Sequence, residues 1–235
     1  MLKVHLNART LGGCSAAVLL CGPLVVACSS QEPNPVVPDA ATRQIRVGID
    51  HTNPTQAMLA ELYAQALNRK GRATELVALD QAAEGSVAEP WDLVSQSRLD
   101  LVAACTGSVL FAQDEPLAKE LADDLAAAKQ KDFSPSVQQD WRDTTYEAMV
   151  GTLAGDVDAA DPSRANACAA EKSLDLPKSI VPIYRADVIS RQQRVGLNWV
   201  SGALDDATLA SLVAQAKQRE RGDVAAEFLD DVGLH

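Results

Sequence analysis

Residues 46–71, RVGIDHTNPTQAMLAELYAQALNRKG, constrain the fold more than any other stretch. The run from Gln44 to Ile49 alternates and then turns apolar, as a strand covered on both faces does. Gly48 near its end allows close backbone approach. Asp50 to Thr55 is a polar turn, with Thr55 placed as the N-cap of the following helix and Pro54 just before it. Met58, Leu59, Leu62, Tyr63, Ala66 and Leu67 then recur at helical spacing and form one face to lay against a sheet. Asn68-Arg69-Lys70-Gly71 closes the helix, with cations at its negative end and a glycine for a left-handed cap. Arg72 to Leu79 reads as a second strand, so the stretch predicts a βαβ unit and an α/β fold.

What precedes this unit has the character of an address. Lys3 and Arg9 give a positive start, and Leu11 to Ala27 is apolar, small and interrupted by Gly22-Pro23. That is the length of a signal segment, short of the ~20 apolar residues that span a bilayer comfortably. It ends in Leu24-Val25-Val26-Ala27-Cys28, which resembles the lipobox of bacterial lipoproteins. The resemblance implies lipidation of Cys28 after removal of residues 1–27; the alternative is an ordinary cleaved signal that happens to contain a cysteine. Residues 28–44 carry three prolines and little apolar periodicity, and read as a tether holding a folded domain off a membrane. The expected location is the cell envelope, on the outer face of the cytoplasmic membrane.

The cysteine count follows from that location. Cys14 and Cys21 leave with the signal and Cys28 is acylated, so Cys105 and Cys168 remain as an even pair in an oxidising compartment. A Cys105–Cys168 disulfide is expected, with two buried free thiols as the alternative. Removing residues 1–27 leaves 19 basic against 32 acidic groups, a net charge of −13. So acidic a chain lacks the Lys/Arg clusters that nucleic-acid binding needs. Only His51 and His235 remain as histidines, and neither has metal-ligand spacing. No Ser/His/Asp arrangement, phosphate loop or metal triad is present, so no enzyme activity and no cofactor are expected. His51 reads as a solvated loop residue. Asp156, Asp158 and Asp161 lack the further ligands of a Ca²⁺ loop and read as a solvated acidic turn.

Along the rest of the chain, residues 80–98 link to a strand that ends near Cys105, with Trp91 to Val94 starting a short helix or packing on the sheet edge. Thr106-Gly107-Ser108 then opens a helix, and such hydroxyls and free amides suit a carboxylate or other anion; a plain N-cap is the bland alternative. Helices are expected over residues 116–131 and from Ser134-Pro135 onward, and a short helix around Cys168. Lys178 to Ile189 reads as a strand and turn, followed by amphipathic stretches at 190–200, 205–218 and 224–232.

Several phrases resemble, in order, those of ABC-transporter substrate-binding proteins for glycine betaine, choline and related osmolytes. Gln56 and Leu59 to Leu67 match the first helix of that family, while the loop His51-Thr52-Asn53-Pro54-Thr55 stands where the family carries a Phe-Thr-Glu-Gln pattern. Asp100 and Thr106-Gly107-Ser108 match a strand followed by Glu-Tyr-Thr-Gly-Thr, with Ala104-Cys105 replacing Glu-Tyr. Thr144 to Ala148 is similar to an Asn-Thr-Tyr-Ala segment that enters the second lobe, and residues 178–235 resemble the return to the first lobe and the closing helices. The resemblance covers residues 45–79, 98–112 and 178–235.

It implies a type II periplasmic-binding-protein-like fold with a βαβ first lobe and a reduced, mostly helical second lobe. The corresponding boundaries are 45–112 for the first lobe, 113–177 for the second and 178–235 for the return. It implies a small polar solute of the quaternary-amine or osmolyte type in an interlobe cleft, touched by Asn53, Gln56, Thr106, Gly107, Ser108 and Tyr146. The implied partners are the membrane, through the lipid, and an ABC permease subunit. Quaternary ammonium recognition uses an aromatic cage, for which residues 110–179 offer only Phe111, Phe133, Trp141 and Tyr146. The alternative is a binding-protein fold without a ligand that serves as an envelope interaction protein or accessory subunit of a membrane complex.

Overall fold

The βαβ unit is the frame of the molecule. In the computed structural model, which describes residues 42–85, 89–132, 134–166, 168 and 174–235, β1 (Ile45–Ile49) leads through α1 (Pro54–Arg69) into β2 (Thr74–Ala78), and the two strands pair in parallel. The signal segment, Cys28 and most of the 28–44 tether lie outside the described residues. The chain continues through α2 (Leu79–Ala83) and α3 (Pro90–Ser95) to β3 (Leu101–Cys105), which pairs with the other edge of β1, again in parallel. Then follow α4 (Thr106–Gln113), α5 (Glu115–Lys131), α6 (Pro135–Thr152), β4 (Val157–Ala159), β5 (Ile180–Arg185), α7 (Arg191–Ala203), α8 (Asp206–Gln215) and α9 (Arg221–Asp231). The sheet order is β2-β1-β3-β5-β4, with β5 antiparallel to both β3 and β4.

The period-two alternation of the strands builds two cores. Ile45, Val47 and Ile49 of β1, with Leu101, Ala103 and Cys105 of β3, face α1 and the helices α7, α8 and α9. Val102 and Ala104 of β3, with Val181 and Ile183 of β5, face α3, α4, α5 and α6. A strand buried on both faces needs an apolar side chain at every position, and β3 is buried at all five. Gly48 faces the second core, where a Cβ would lie 2.7 Å from the side chains of Leu79 and Leu99. The close approach at Gly48 is therefore of side chains, not of backbone.

Helix α1 is anchored at both ends. Asn53, not Thr55, is its N-cap: Asn53 Oδ1 accepts from the amides of Thr55 and Gln56 at 3.0 and 3.2 Å. The physical reason is Pro54, which fixes a helical φ at the first helical position and holds the residue before it extended. At the other end Gly71 has φ +76°, the left-handed cap expected there. Arg69 then ties α1 to the C-terminus, donating to the carbonyls of Ala226 and Leu234 and pairing with Asp230.

Residues 113–177, read from the sequence as a reduced second lobe, contribute α5 and α6, which pack on α4, and β4, which joins the single sheet as its edge strand. Among the described residues there is no second sheet. The short helix expected around Cys168 falls on residues 167 and 169–173, which lie outside the described residues; Cys168 itself is described. It is held by its bond to Cys105, with a Cα–Cα distance of 6.2 Å, and by Lys178 Nζ, which donates to its carbonyl at 3.3 Å.

Candidate functional site

The strand order reverses at β1. Its connection to β2 runs over one face of the sheet through α1, and the connection from β2 to β3 returns over the other through α2 and α3. Connections that part in this way leave a crevice at the carboxyl ends of the strands between them. The structure has a cavity of about 420 Å³ at that place. Gly48 of β1 and Val102, Ala103 and Ala104 of β3 form its floor. Leu79, Pro90 and Trp91 wall one side, and Ser108, Phe111 and Ala112 of α4 wall the other. Asp50, Asn53, Gln56 and Glu89 complete the lining.

The polar groups divide into those already engaged and those without a partner. Asp50 Oδ1 accepts from Thr52 N at 2.8 Å and from Thr52 Oγ1 at 2.6 Å, which shapes the β1–α1 loop. Asn53 is occupied as the helix cap. Gln56 reaches inward, with Nε2 4.0 Å from Cys168 Sγ. By contrast, Ser108 Oγ and Trp91 Nε1 are buried with no hydrogen-bond partner in the protein. Among the described residues the lining contains two acids, Asp50 and Glu89, and no lysine or arginine.

Of the six ligand residues expected from the sequence, Asn53, Gln56 and Ser108 come together here and the other three do not. Thr106 and Gly107 are turned into the fold. Thr106 N donates to Ser179 O and Gly107 N to Pro177 O, each at 3.0 Å, and Thr106 Oγ1 also donates to Pro177 O at 3.0 Å. The amides that a bound anion would use are held by residues 177–179. Tyr146 lies on α6, where its hydroxyl donates to Ala159 O at 3.3 Å. Burial, with Asp161 and Asp158 nearby, pushes that phenol up to about 12. Trp141, like Tyr146, packs against the second core, and Phe133 lies outside the described residues; of the three described cage candidates, Phe111 alone lines the cavity.

Trp91, Glu89 and Asp50 are among the lining residues that sequence reasoning did not place in the site. Trp91 reads there as a helix start or edge-packing residue; the available signal was Pro90-Trp91 at a helix N-terminus in the crossover that returns to β3. His51 is exposed in the turn beyond the cavity lining. In the acidic turn, Asp158 Oδ2 accepts from Tyr184 at 3.2 Å and lies 3.7 Å from Arg194. Among the described residues no group of three or more His, Cys, Asp or Glu side chains is arranged to hold a metal ion.

Asp100 sits at the opposite end of the sheet. It is fully buried, gripped by Arg43 at 2.5 and 2.6 Å and by the Arg46 amide at 2.9 Å. Burial alone would raise this carboxyl, but the hydrogen bonds from Arg43 and Arg46 outweigh it and hold the group below the usual carboxylate range. Arg43, assigned to the tether from the sequence, thus belongs to the folded body.

The molecule is a mixed α/β protein with, among the described residues, one five-stranded sheet and a crevice at its strand-order reversal. No protein-family model and no curated protein sequence matches the chain. Among solved structures it is similar to apo YehZ from Escherichia coli, with a TM-score of 0.56 and 12% sequence identity over 82% of this chain and 99% of that one. At that identity the likeness shows a shared fold.

Proposed function

We propose that the chain is a lipid-anchored extracytoplasmic solute-binding protein that delivers a small polar solute, of the quaternary-amine or osmolyte type, to the permease of an ABC importer. The observation that carries this reading is the cavity between α3 and α4, with unpartnered polar groups buried in an otherwise apolar wall. Trp91, Phe111, Asp50 and Glu89 in the lining suit a cation with an apolar body. The likeness to apo YehZ supports the fold on which the reading rests.

Thermal unfolding with choline, glycine betaine, carnitine and proline betaine at millimolar concentration tests it. A solute present at a hundred times its Kd stabilises by about 2.7 kcal/mol, which raises the Tm by roughly 5–10 °C for a chain of this size. No shift with any of the four overturns the osmolyte reading.

A second reading has its own observation. The Thr106 and Gly107 amides are held by the 177–179 carbonyls, and residues 113–177 add helices on α4 and an edge strand in place of a second sheet among the described residues. In that reading the chain keeps the fold and serves as an envelope interaction protein or accessory subunit of a membrane complex. Purification of the lipidated chain with a stoichiometric membrane partner, together with no thermal shift, favours it.

A further inference from the structure

Two residues that line the same cavity from different elements each carry an unpartnered polar atom. Trp91 of α3 is 7% exposed and Ser108 of α4 is 3% exposed; Trp91 Nε1 and Ser108 Oγ are buried, and neither has a hydrogen-bond partner in the protein. An indole N–H can only donate, whereas a hydroxyl both donates and accepts. A buried donor without an acceptor is destabilising, and buried polar atoms in folded proteins find partners. The atom that serves Trp91 Nε1 must therefore carry a lone pair, and the Ser108 hydroxyl on α4 can either donate or accept.

Charge narrows the class further. Asp50 and Glu89 line the cavity, and among the described residues no cationic side chain does. A carboxylate placed against Trp91 and Ser108 would carry a negative charge into an apolar site, next to two acids and without a counter-ion. Two amides at the start of α4 are already taken, since Thr106 N and Gly107 N donate to Ser179 O and Pro177 O.

We infer that the cavity selects a solute whose polar handle is a neutral oxygen, a hydroxyl or carbonyl, bonded by Trp91 Nε1 and Ser108 Oγ, and that it discriminates against solutes bearing a carboxylate at that position. Trp91 contributes the edge of its indole through the N–H, in addition to its apolar surface. Both polar atoms are covered in the wall as it stands, so contact requires side-chain adjustment, which at Ser108 is a turn between staggered χ1 wells. The inference rests on the solute-binding reading above.

Choline and glycine betaine separate the two claims. They share a trimethylammonium group and differ in carrying a hydroxyl or a carboxylate. Calorimetric titration of the purified chain should give choline the tighter binding by at least about tenfold, and Trp91→Phe and Ser108→Ala should each weaken choline by about tenfold. In a ¹H–¹⁵N spectrum the Trp91 indole resonance, identified as the one missing from Trp91→Phe, should move downfield on adding choline. Glycine betaine binding as tightly as choline overturns the inference and leaves the solute-binding reading standing. Choline binding with an unmoved Trp91 resonance and an unchanged affinity in Ser108→Ala does the same. No binding of either solute, with no thermal shift from carnitine or proline betaine, overturns the osmolyte reading and the inference with it.

Discussion

The amide of Gly107 donates to the carbonyl of Pro177 at 3.0 Å, and a Cβ built at position 107 would lie 2.7 Å from that same oxygen. The chain there is a covered helix start: the peptide group that faces the first turn of α4 is backbone, which cannot swing aside as a side chain can. Gly107→Ala must push residues 177–179 off α4 or break the bond. It should cost roughly 1–3 kcal/mol, the range for overpacking a filled site, read as a lowered urea midpoint. A neutral outcome would mean that residues 177–179 do not hold the α4 amides in solution.

At the other end of the sheet, Asp100 predicts a pH dependence. Its folded carboxyl lies below the ordinary value of about 3.9 that it takes in the unfolded chain. The stabilisation is therefore complete above that value and is lost as pH falls through the lower folded one. Asp100→Asn should lose roughly 2–4 kcal/mol at pH 7, since it leaves Arg43 and Arg46 without their carboxylate. Urea midpoints taken from pH 7 down to pH 3 should fall less steeply for the variant than for the parent. Parallel curves would show that Asp100 carries none of the acid sensitivity.

The Cys105–Cys168 bond closes a loop with a sequence separation of 63. In the chain-entropy account a loop of that length is stabilising by about 4 kcal/mol. The reduced parent and Cys168→Ala should unfold at matching denaturant concentrations, both well below the oxidised parent. If Cys168→Ala matches the oxidised parent instead, the bond is not formed in the purified protein.

Position 53 tests which residue caps α1. Asn53→Ala removes the acceptor of the Thr55 and Gln56 amides and should cost about 1 kcal/mol. Thr55→Ala lies inside the helix and should be close to neutral. The reverse ranking would restore Thr55 as the cap.

The scaffold was legible because its signals are local and periodic. The apolar spacing from Met58 to Leu67, the glycine at 71 and the unbroken apolar run of β3 each report on the face that one element buries. The cysteine pairing was legible by counting. The cavity was only half legible, because its lining depends on which elements meet. Ser108, Asn53 and Gln56 lie on the first turns after β1 and β3, where strand ends converge, and so could be nominated. Trp91 reaches the site from a six-residue helix in the crossover from β2, which no spacing rule connects to Ser108. Thr106 and Gly107 look free in sequence, and only the return of residues 177–179 beside β3 takes their amides. Arg43 looks like tether because its partner, Asp100, is 57 residues away.

The most direct measurement is the thermal shift with millimolar choline, made in parallel on the parent and on Ala112→Trp. Ala112 is exposed at the wall of the cavity, and an indole there fills the space between α3 and α4 without disturbing the buried face of α4. The parent should gain several degrees and Ala112→Trp should gain none, while both unfold at similar temperatures without solute. An equal gain in the two proteins would contradict binding in this cavity, and no gain in either would contradict choline-type solute binding altogether.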